Sequence, residues 1–168
     1  MAKLLIVVDM QNDFIDGSLG TKEALEIVPR VLEKVRGFEG EVIFTQDSHG
    51  ENYLDTQEGK NLPIRHCIEG TDGWQIREEL RPYITKNWRK DTFGSFSLAE
   101  AISQMEGVES IELVGLCTDI CVVSNALIIK AYNREIPMIV DSSCCAGVTP
   151  EKHEAALEVM RSCQIQVI

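Results

Sequence analysis

Apolar and polar positions along this chain fall into short blocks, and the period changes from one block to the next. Leu4 to Val8 is a continuous apolar run, the pattern of a strand buried on both faces of a parallel sheet. A polar, glycine-containing loop follows from Gln11 to Lys22. Ala24 to Phe38 switches to helical spacing, with Leu25, Val28, Leu32 and Val35 on one face and Pro29 near its start. Gly40 closes that unit. Glu41 to Thr45 predicts a second strand, and Gln46 to Gly50 the loop at its carboxyl end. Residues 51–73 are polar and carry Gly59, Pro63, Gly70 and Gly73, the mark of a long functional loop. A short helix over Ile76 to Leu80 and a third strand over Tyr83 to Trp88 come next.

The second half repeats the alternation. Ser97 to Met105 predicts a helix, Ser110 to Val114 a fourth strand, and the segment through Tyr132 and Glu135 a long helix. Met138 to Asp141 is a fifth strand. Thr149 caps a last helix with Pro150 at its favoured first position. The apolar face of that helix is Ala155, Ala156, Leu157, Val159 and Met160. Gln164 to Ile168 reads as a final strand. The alternation has no internal repeat and no linker. It predicts one domain over residues 1–168, a three-layer α/β/α fold around a mostly parallel six-stranded sheet. Such sheets bind ligands outside the carboxyl ends of their strands.

Composition narrows the partners. The 168 residues are 44% hydrophobic and 26% charged, as in ordinary soluble proteins, and enough for one sizeable core. A net charge of −11 and a pI near 4.7 argue against nucleic acid or an anionic membrane as partner. The opening apolar run, closed by Asp9, is too short for a signal peptide or a membrane span. The expectation is a cytoplasmic protein whose six cysteines are reduced thiols. None of the six forms a C-x-x-C pair, which argues against a zinc ribbon or a thioredoxin-type site.

The carboxyl-end rule gathers one set of side chains: Asp9 after the first strand, Asp47 and His49 after the second, Lys90 after the third and Cys121 after the fourth. Cys121 sits where a strand turns into a helix that Thr118 or Asp119 can cap. In a first helical turn, free N–H groups and the dipole favour an anion, lower a thiol pKa and can hold an oxyanion. Each residue also has a plain alternative, as a turn residue, a solvated lysine or a buried cysteine. Asp47, His49 and His66 form a second set. Two histidines and a carboxylate suit Zn, Fe or Mn with positions left open. His153, inside the last helix, is given no role.

The motifs resemble those of one family. Gly115-Leu116-Cys117-Thr118-Asp119-Ile120-Cys121-Val122 is similar to the nucleophile motif of the isochorismatase-like cysteine hydrolases, which include nicotinamidases. Asp9-Met10-Gln11-Asn12-Asp13-Phe14 resembles that family's Asp-x-Gln-x-Asp-Phe motif, and Lys90 to Phe96 resembles the segment opening with its lysine. The resemblance implies a catalytic set of Asp9, Lys90 and Cys121, with Lys86 the competing lysine. It implies an oxyanion hole at Cys117 and Cys121, substrate contacts from Gln11 and Phe14, and a cis bond between Leu116 and Cys117. It further implies a metal held by Asp47, His49 and His66 against a pyridine nitrogen, no organic cofactor, and a homo-oligomer. The match breaks in three places. Asn125-Ala126 stands where the family often has Thr-Ala, two residues separate Pro63 from His66 where one is usual, and Ser48 and Gly50 flank His49.

The activity so implied is hydrolysis of a small carboxamide, nicotinamide foremost, through a thioester. The alternatives are hydrolysis of an N-carbamoyl or ureido compound, and a non-catalytic small-ligand or metal-binding α/β module. Isochorismate hydrolysis would leave the thiol without a task. A nucleotide-binding module would need a glycine-rich loop after the first strand, and Asp9 to Asp13 is not one.

Overall fold

The computed structural model describes residues 2–168. Six strands form one sheet in the order β3-β2-β1-β4-β5-β6, with every pairing parallel. They are β1 (Ala2–Val8), β2 (Glu41–Asp47), β3 (Lys86–Lys90), β4 (Val108–Leu116), β5 (Met138–Ala146) and β6 (Gln166–Val167). The helices are α1 (Asn12–Ile15), α2 (Lys22–Gly37), α3 (Gln57–Asn61), α4 (Phe96–Ser103), α5 (Val123–Tyr132) and α6 (Pro150–Ser162).

Side chains two apart along a strand share a face, so each inner strand feeds two cores. Leu5 and Val7 of β1 join Val114, Leu116 and the α2 residues Ala24, Ile27, Val28, Val31 and Val35. Leu4, Ile6 and Val8 join Leu113, Val140 and residues of α4, α5 and α6. The continuous apolar run of β1 is thus a strand covered by helices on both faces, in a three-layer α/β/α arrangement. Cys144 and Cys145, neighbours on β5, divide between the two cores in the same way. All six cysteines are free.

Several boundaries differ from the sequence expectation. The buried stripe of α2 is 24, 27, 28, 31 and 35; Leu25 lies about 100° round the helix from Ala24 and is exposed. On α6, Ala156, Leu157 and Met160 are buried, whereas Ala155 and Val159 face outward. The helix expected at 76–80 is a 3₁₀ turn at Glu78–Tyr83, and β3 starts and ends later than expected. β3 is an edge strand with mostly exposed side chains, so no apolar pattern marks it. Tyr83 and Ile84 pack beneath the α2-side core instead. β5 continues past Asp141 to Ala146, because Cys145 and Ala146 pair with Gly115 and Leu116 of β4. Among the described residues, no helix is long and apolar enough to cross a membrane.

The register sets the site. Asp47 pairs with Lys90 across β2 and β3, and Val8 pairs with Gly115 across β1 and β4. The strand order reverses between β1 and β4, and ligand crevices open at such reversals. Gly115 has φ of +121°, and a Cβ there would come within 2.1 Å of the Val8 carbonyl oxygen. Glycine is therefore required one residue before the sheet edge. The following peptide, Leu116–Cys117, is cis, as the motif resemblance implies.

Candidate functional site

Asp9 stands just beyond β1 in the left-handed region, φ 46°, where an aspartate is tolerated better than most residues. Thr45 of β2 fixes it from both sides. The Asp9 amide donates to Thr45 Oγ1 at 3.1 Å, and that hydroxyl donates to Asp9 Oδ1 at 2.7 Å. Lys90, the last residue of β3, reaches across so that its Nζ lies 2.6 Å from Asp9 Oδ2. The same ammonium donates to the Thr92 carbonyl at 3.0 Å and to Cys121 Sγ at 3.4 Å, with Asp47 Oδ1 3.8 Å away. Lys86, the competing lysine, begins β3, where it is exposed and paired with Glu41. It lies at the amino end of the strand, remote in register from the crevice, so Lys90 is the lysine brought to Asp9 and Cys121.

Cys121 is buried in a wide, π-type turn, Thr118–Val122, that precedes α5. The amides of Ile120 and Val122 both donate to the Cys117 carbonyl. Thr118 and Asp119 do not cap this helix, contrary to the sequence expectation. Thr118 Oγ1 is 2.6 Å from Nδ1 of His153 on α6, and Asp119 Oδ1 accepts from the Val148 amide at 3.0 Å. Both side chains bind the turn to the start of α6. His153, given no role from sequence, is one end of that tie.

The expected lowering of the thiol pKa is also overturned. Burial, with the Asp9 charge adding to it, pushes Cys121 well above the ordinary thiol range, against the opposing pull of Lys90. Cys121 therefore rests as a thiol and needs a base. Asp9 is displaced too: burial raises its pKa more than Lys90 lowers it. Burial therefore favours the protonated carboxyl more than in an exposed aspartate.

Next to this cluster, Asp47, His49 and His66 offer ligand atoms that all lie within 4.8 Å of one another. Asp47 is the last residue of β2, and His49 follows two residues on. His49 Nε2 is 2.9 Å from Asp47 Oδ2, and His66 Nε2 is 3.7 Å from the same oxygen. The two histidine segments are joined by backbone bonds from His49 N to the Cys67 carbonyl and from Glu69 N to the His49 carbonyl. Asp13 anchors the second segment by accepting from the Cys67 amide at 2.8 Å. His66 Nδ1 meets the Ile64 carbonyl at 2.8 Å, which fixes the proton there and leaves Nε2 as a ligand nitrogen. Burial lowers the His49 pKa, but the hydrogen bond and charge of Asp47, with Glu58, outweigh it and raise the balance.

Glu58 was not foreseen. Its Oε2 is buried without a hydrogen-bond partner, 3.3 Å from His49 Nε2 and 3.7 Å from His66 Nε2. It is carried by α3, inside the stretch read from sequence as loop. Thr56 caps α3 by accepting from the Gly59 amide, and a Cβ at Gly59 would meet the Tyr53 carbonyl oxygen at 2.0 Å. The signal available was Thr56 as an N-cap. Tyr53 and Thr45 are further residues the sequence does not mark: Thr45 braces Asp9, and the Tyr53 ring centroid lies 4.9 Å from those of both His49 and His66. A buried carboxylate oxygen with no partner, aimed at two imidazole nitrogens beside a second carboxylate, is a donor set that fits a divalent transition metal.

The histidine cluster and Cys121 border one cavity of about 840 Å³, lined among others by Phe14, Asp47, His49, Glu58 and His66, with Asp9 and Lys90 buried behind Cys121. Phe14 packs against the His66 ring with centroids 5.5 Å apart. Gln11, expected among the substrate contacts, has its amide committed elsewhere. It donates to the carbonyls of Asp47 and Trp74 and accepts from the Asp47 amide at 2.8 Å, so it grips the metal-side backbone. Ser48, at one of the departures from the family pattern, accepts from Trp74 Nε1 at 2.8 Å.

A family model described as an isochorismatase domain matches residues 3–168. The chain belongs to the isochorismatase family. Its relatives include a nicotinamidase/pyrazinamidase of Mycobacterium tuberculosis, 26% identical over 99% of this chain and 98% of that protein. A probable inactive nicotinamidase of Arabidopsis thaliana is 30% identical over 94% of this chain and 87% of that protein. Among solved structures, a pyrazinamidase of Pyrococcus horikoshii in complex with zinc superposes with a TM-score of 0.81. It is 29% identical, over 100% of this chain and 99% of that one.

Proposed function

We propose that this protein is a cysteine-dependent amidohydrolase that cleaves a small carboxamide, nicotinamide foremost, to the carboxylate and ammonia. The observation that carries the reading is the meeting of Asp9 and Lys90 with Cys121, which opens on the same cavity as Asp47, His49, His66 and Glu58. The nicotinamidase relatives support it, and the proposed nucleophile–base–lysine set favours it over a non-catalytic module.

Asp47, His49, His66 and Glu58 would hold a divalent metal, zinc being the ion named with the Pyrococcus relative. Bound there, the ion supplies a Lewis acid that a ring nitrogen can ligate, which orients the carboxamide. The chain's own residues perform the hydrolysis. Asp9 takes the Cys121 proton as sulfur attacks the amide carbon. Lys90 balances the charge between carboxylate and sulfur. The backbone N–H groups of Cys117 and Cys121 receive the developing oxyanion. Asp9 returns the proton to nitrogen, the C–N bond breaks and ammonia leaves a thioester on Cys121. Asp9 then removes a proton from water as it attacks the thioester, and the thiol is restored with release of the carboxylate. Phe14 packs one side of the ring.

The test is ammonia release from a panel of nicotinamide, other heteroaryl carboxamides and N-carbamoyl compounds. Turnover of the heteroaryl amides over the ureido compounds supports the reading. The reverse preference replaces it with the ureido alternative, and release from none of them supports the non-catalytic module.

A further inference from the structure

Asn125 is where the nucleophile motif departs from the family pattern, and it is fully buried in the structure. Its side chain makes three hydrogen bonds, all to backbone. Nδ2 donates to the Cys121 carbonyl at 2.8 Å and to the Phe93 carbonyl at 3.1 Å, and Oδ1 accepts from the Ser95 amide at 2.9 Å. One side chain on α5 therefore joins the turn that carries the thiol to the loop over residues 91–95. That loop matters to the chemistry in two places. The Thr92 carbonyl holds Lys90 Nζ, and Phe93 lines the cavity. The loop is also drawn close by Gly94, where a Cβ would approach the Ser124 carbonyl oxygen at 3.2 Å. This link spans the two segments that carry Lys90's carbonyl partner and Cys121.

We infer that Asn125 is a positioning residue for the reaction, setting the 91–95 loop, and through it Lys90, against Cys121. A displacement of about 1 Å between reacting groups can cost on the order of 10²-fold in rate. Loss of the link should therefore appear in the chemical step more than in binding. The inference rests on the amidase reading only for its turnover arm. Alkylation of Cys121 by iodoacetamide needs no substrate and reports the same geometry.

The experiment compares Asn125→Leu, Asn125→Asp and Asn125→Thr with the parent. Leucine keeps the volume and removes all three bonds. Aspartate keeps the acceptor for Ser95 and loses the amide donors. Threonine keeps one hydroxyl, which can bond back to the Cys121 carbonyl as helical threonines do. With nicotinamide, kcat of Asn125→Leu should fall about tenfold or more while KM moves less than about threefold. Its alkylation rate should fall in parallel, and Asn125→Thr should recover part of both. If Asn125→Leu does not fold, Asn125→Asp carries the same expectation. A folded variant of either kind with kcat and alkylation within about twofold of the parent would overturn the inference, as would a loss confined to KM. A parent that alkylates at Cys121 but does not turn over nicotinamide would count against the substrate reading. The alkylation comparison would still decide the role of Asn125.

Discussion

The Lys90 ammonium lies 2.6 Å from the Asp9 carboxylate, and both are buried at the edge of the sheet. A buried pair of this kind loses heavily when one partner is removed, because the other is left charged and unpaired. Here the Lys90 ammonium also lies 3.4 Å from Cys121 Sγ. Lys90→Ala is expected to cut kcat/KM at least as severely as ~10²-fold, in the range of lost acid–base function. Lys86→Ala should leave it within about twofold, since Lys86 is exposed at the other end of the strand. Steady-state rates of the two variants decide the assignment, and a severe effect from Lys86→Ala would reverse it.

Asp9 gives the pH dependence a sign. Its pKa is raised from 3.8 by burial, so the protonated form persists above that value. In the proposed mechanism the carboxylate is the form that accepts the thiol proton. Activity should therefore rise with pH through a limb whose midpoint lies above 3.8. Asp9→Asn should lower the acylation rate by ~10²–10⁴-fold and remove that limb. Single-turnover rates across the acid range make the comparison. A limb retained in Asp9→Asn would assign it to another group.

The four-donor cluster predicts a separation between binding and thiol chemistry. Removing metal with a chelator, or substituting His66→Ala, should raise KM for nicotinamide by an order of magnitude or more, because orientation of the ring is lost. Alkylation of Cys121 should change by less than about twofold. Glu58→Gln should weaken zinc binding by ~10–100-fold, the scale of losses when a metal site's supporting groups are altered. Zinc titration of the metal-stripped protein measures it, and an unchanged affinity would remove Glu58 from the donor set.

Stability rests partly on a group remote from the site. Lys34 of α2 bridges Glu112 at 2.6 Å and Asp141 at 2.8 Å, and all three are partly buried. Lys34→Met leaves two carboxylates facing each other without a cation. The expected cost is ~1–3 kcal/mol, less than for a fully buried pair because solvent screens part of it. Burial alone would raise Asp141, but its bond to Lys34 lowers it below 3.8. The Asp141 contribution is therefore present above 3.8 and is lost as pH falls through the lower folded value. Chemical denaturation at neutral and acid pH should show the gap between parent and variant narrowing toward acid.

The layers of the fold and the convergence of Asp9, Asp47, Lys90 and Cys121 are legible in the sequence for one reason. Inner parallel strands read as apolar runs, and their carboxyl ends locate Asp9, Asp47, Lys90 and Cys121 without knowledge of packing. β3 was misplaced because an edge strand needs no apolar pattern, and its register comes from β2. Glu58 was hidden because α3 is a five-residue helix held by Thr56 and by close contact with Tyr53, not by an amphipathic stripe. The thiol pKa is not legible in the sequence, because local helix geometry favours a thiolate whereas burial beside Asp9 depends on tertiary packing. Gln11 was misplaced because its motif position says nothing of which way its amide points.

The most direct test is a single-turnover measurement of ammonia and nicotinate formed from nicotinamide by zinc-loaded protein, with Cys121→Ala in parallel. The account predicts one ammonia for each nicotinate from the parent, a transient acyl adduct on Cys121 detectable by mass, and no product from a folded Cys121→Ala. Full product formation by Cys121→Ala would contradict it, because hydrolysis would then proceed without the thiol.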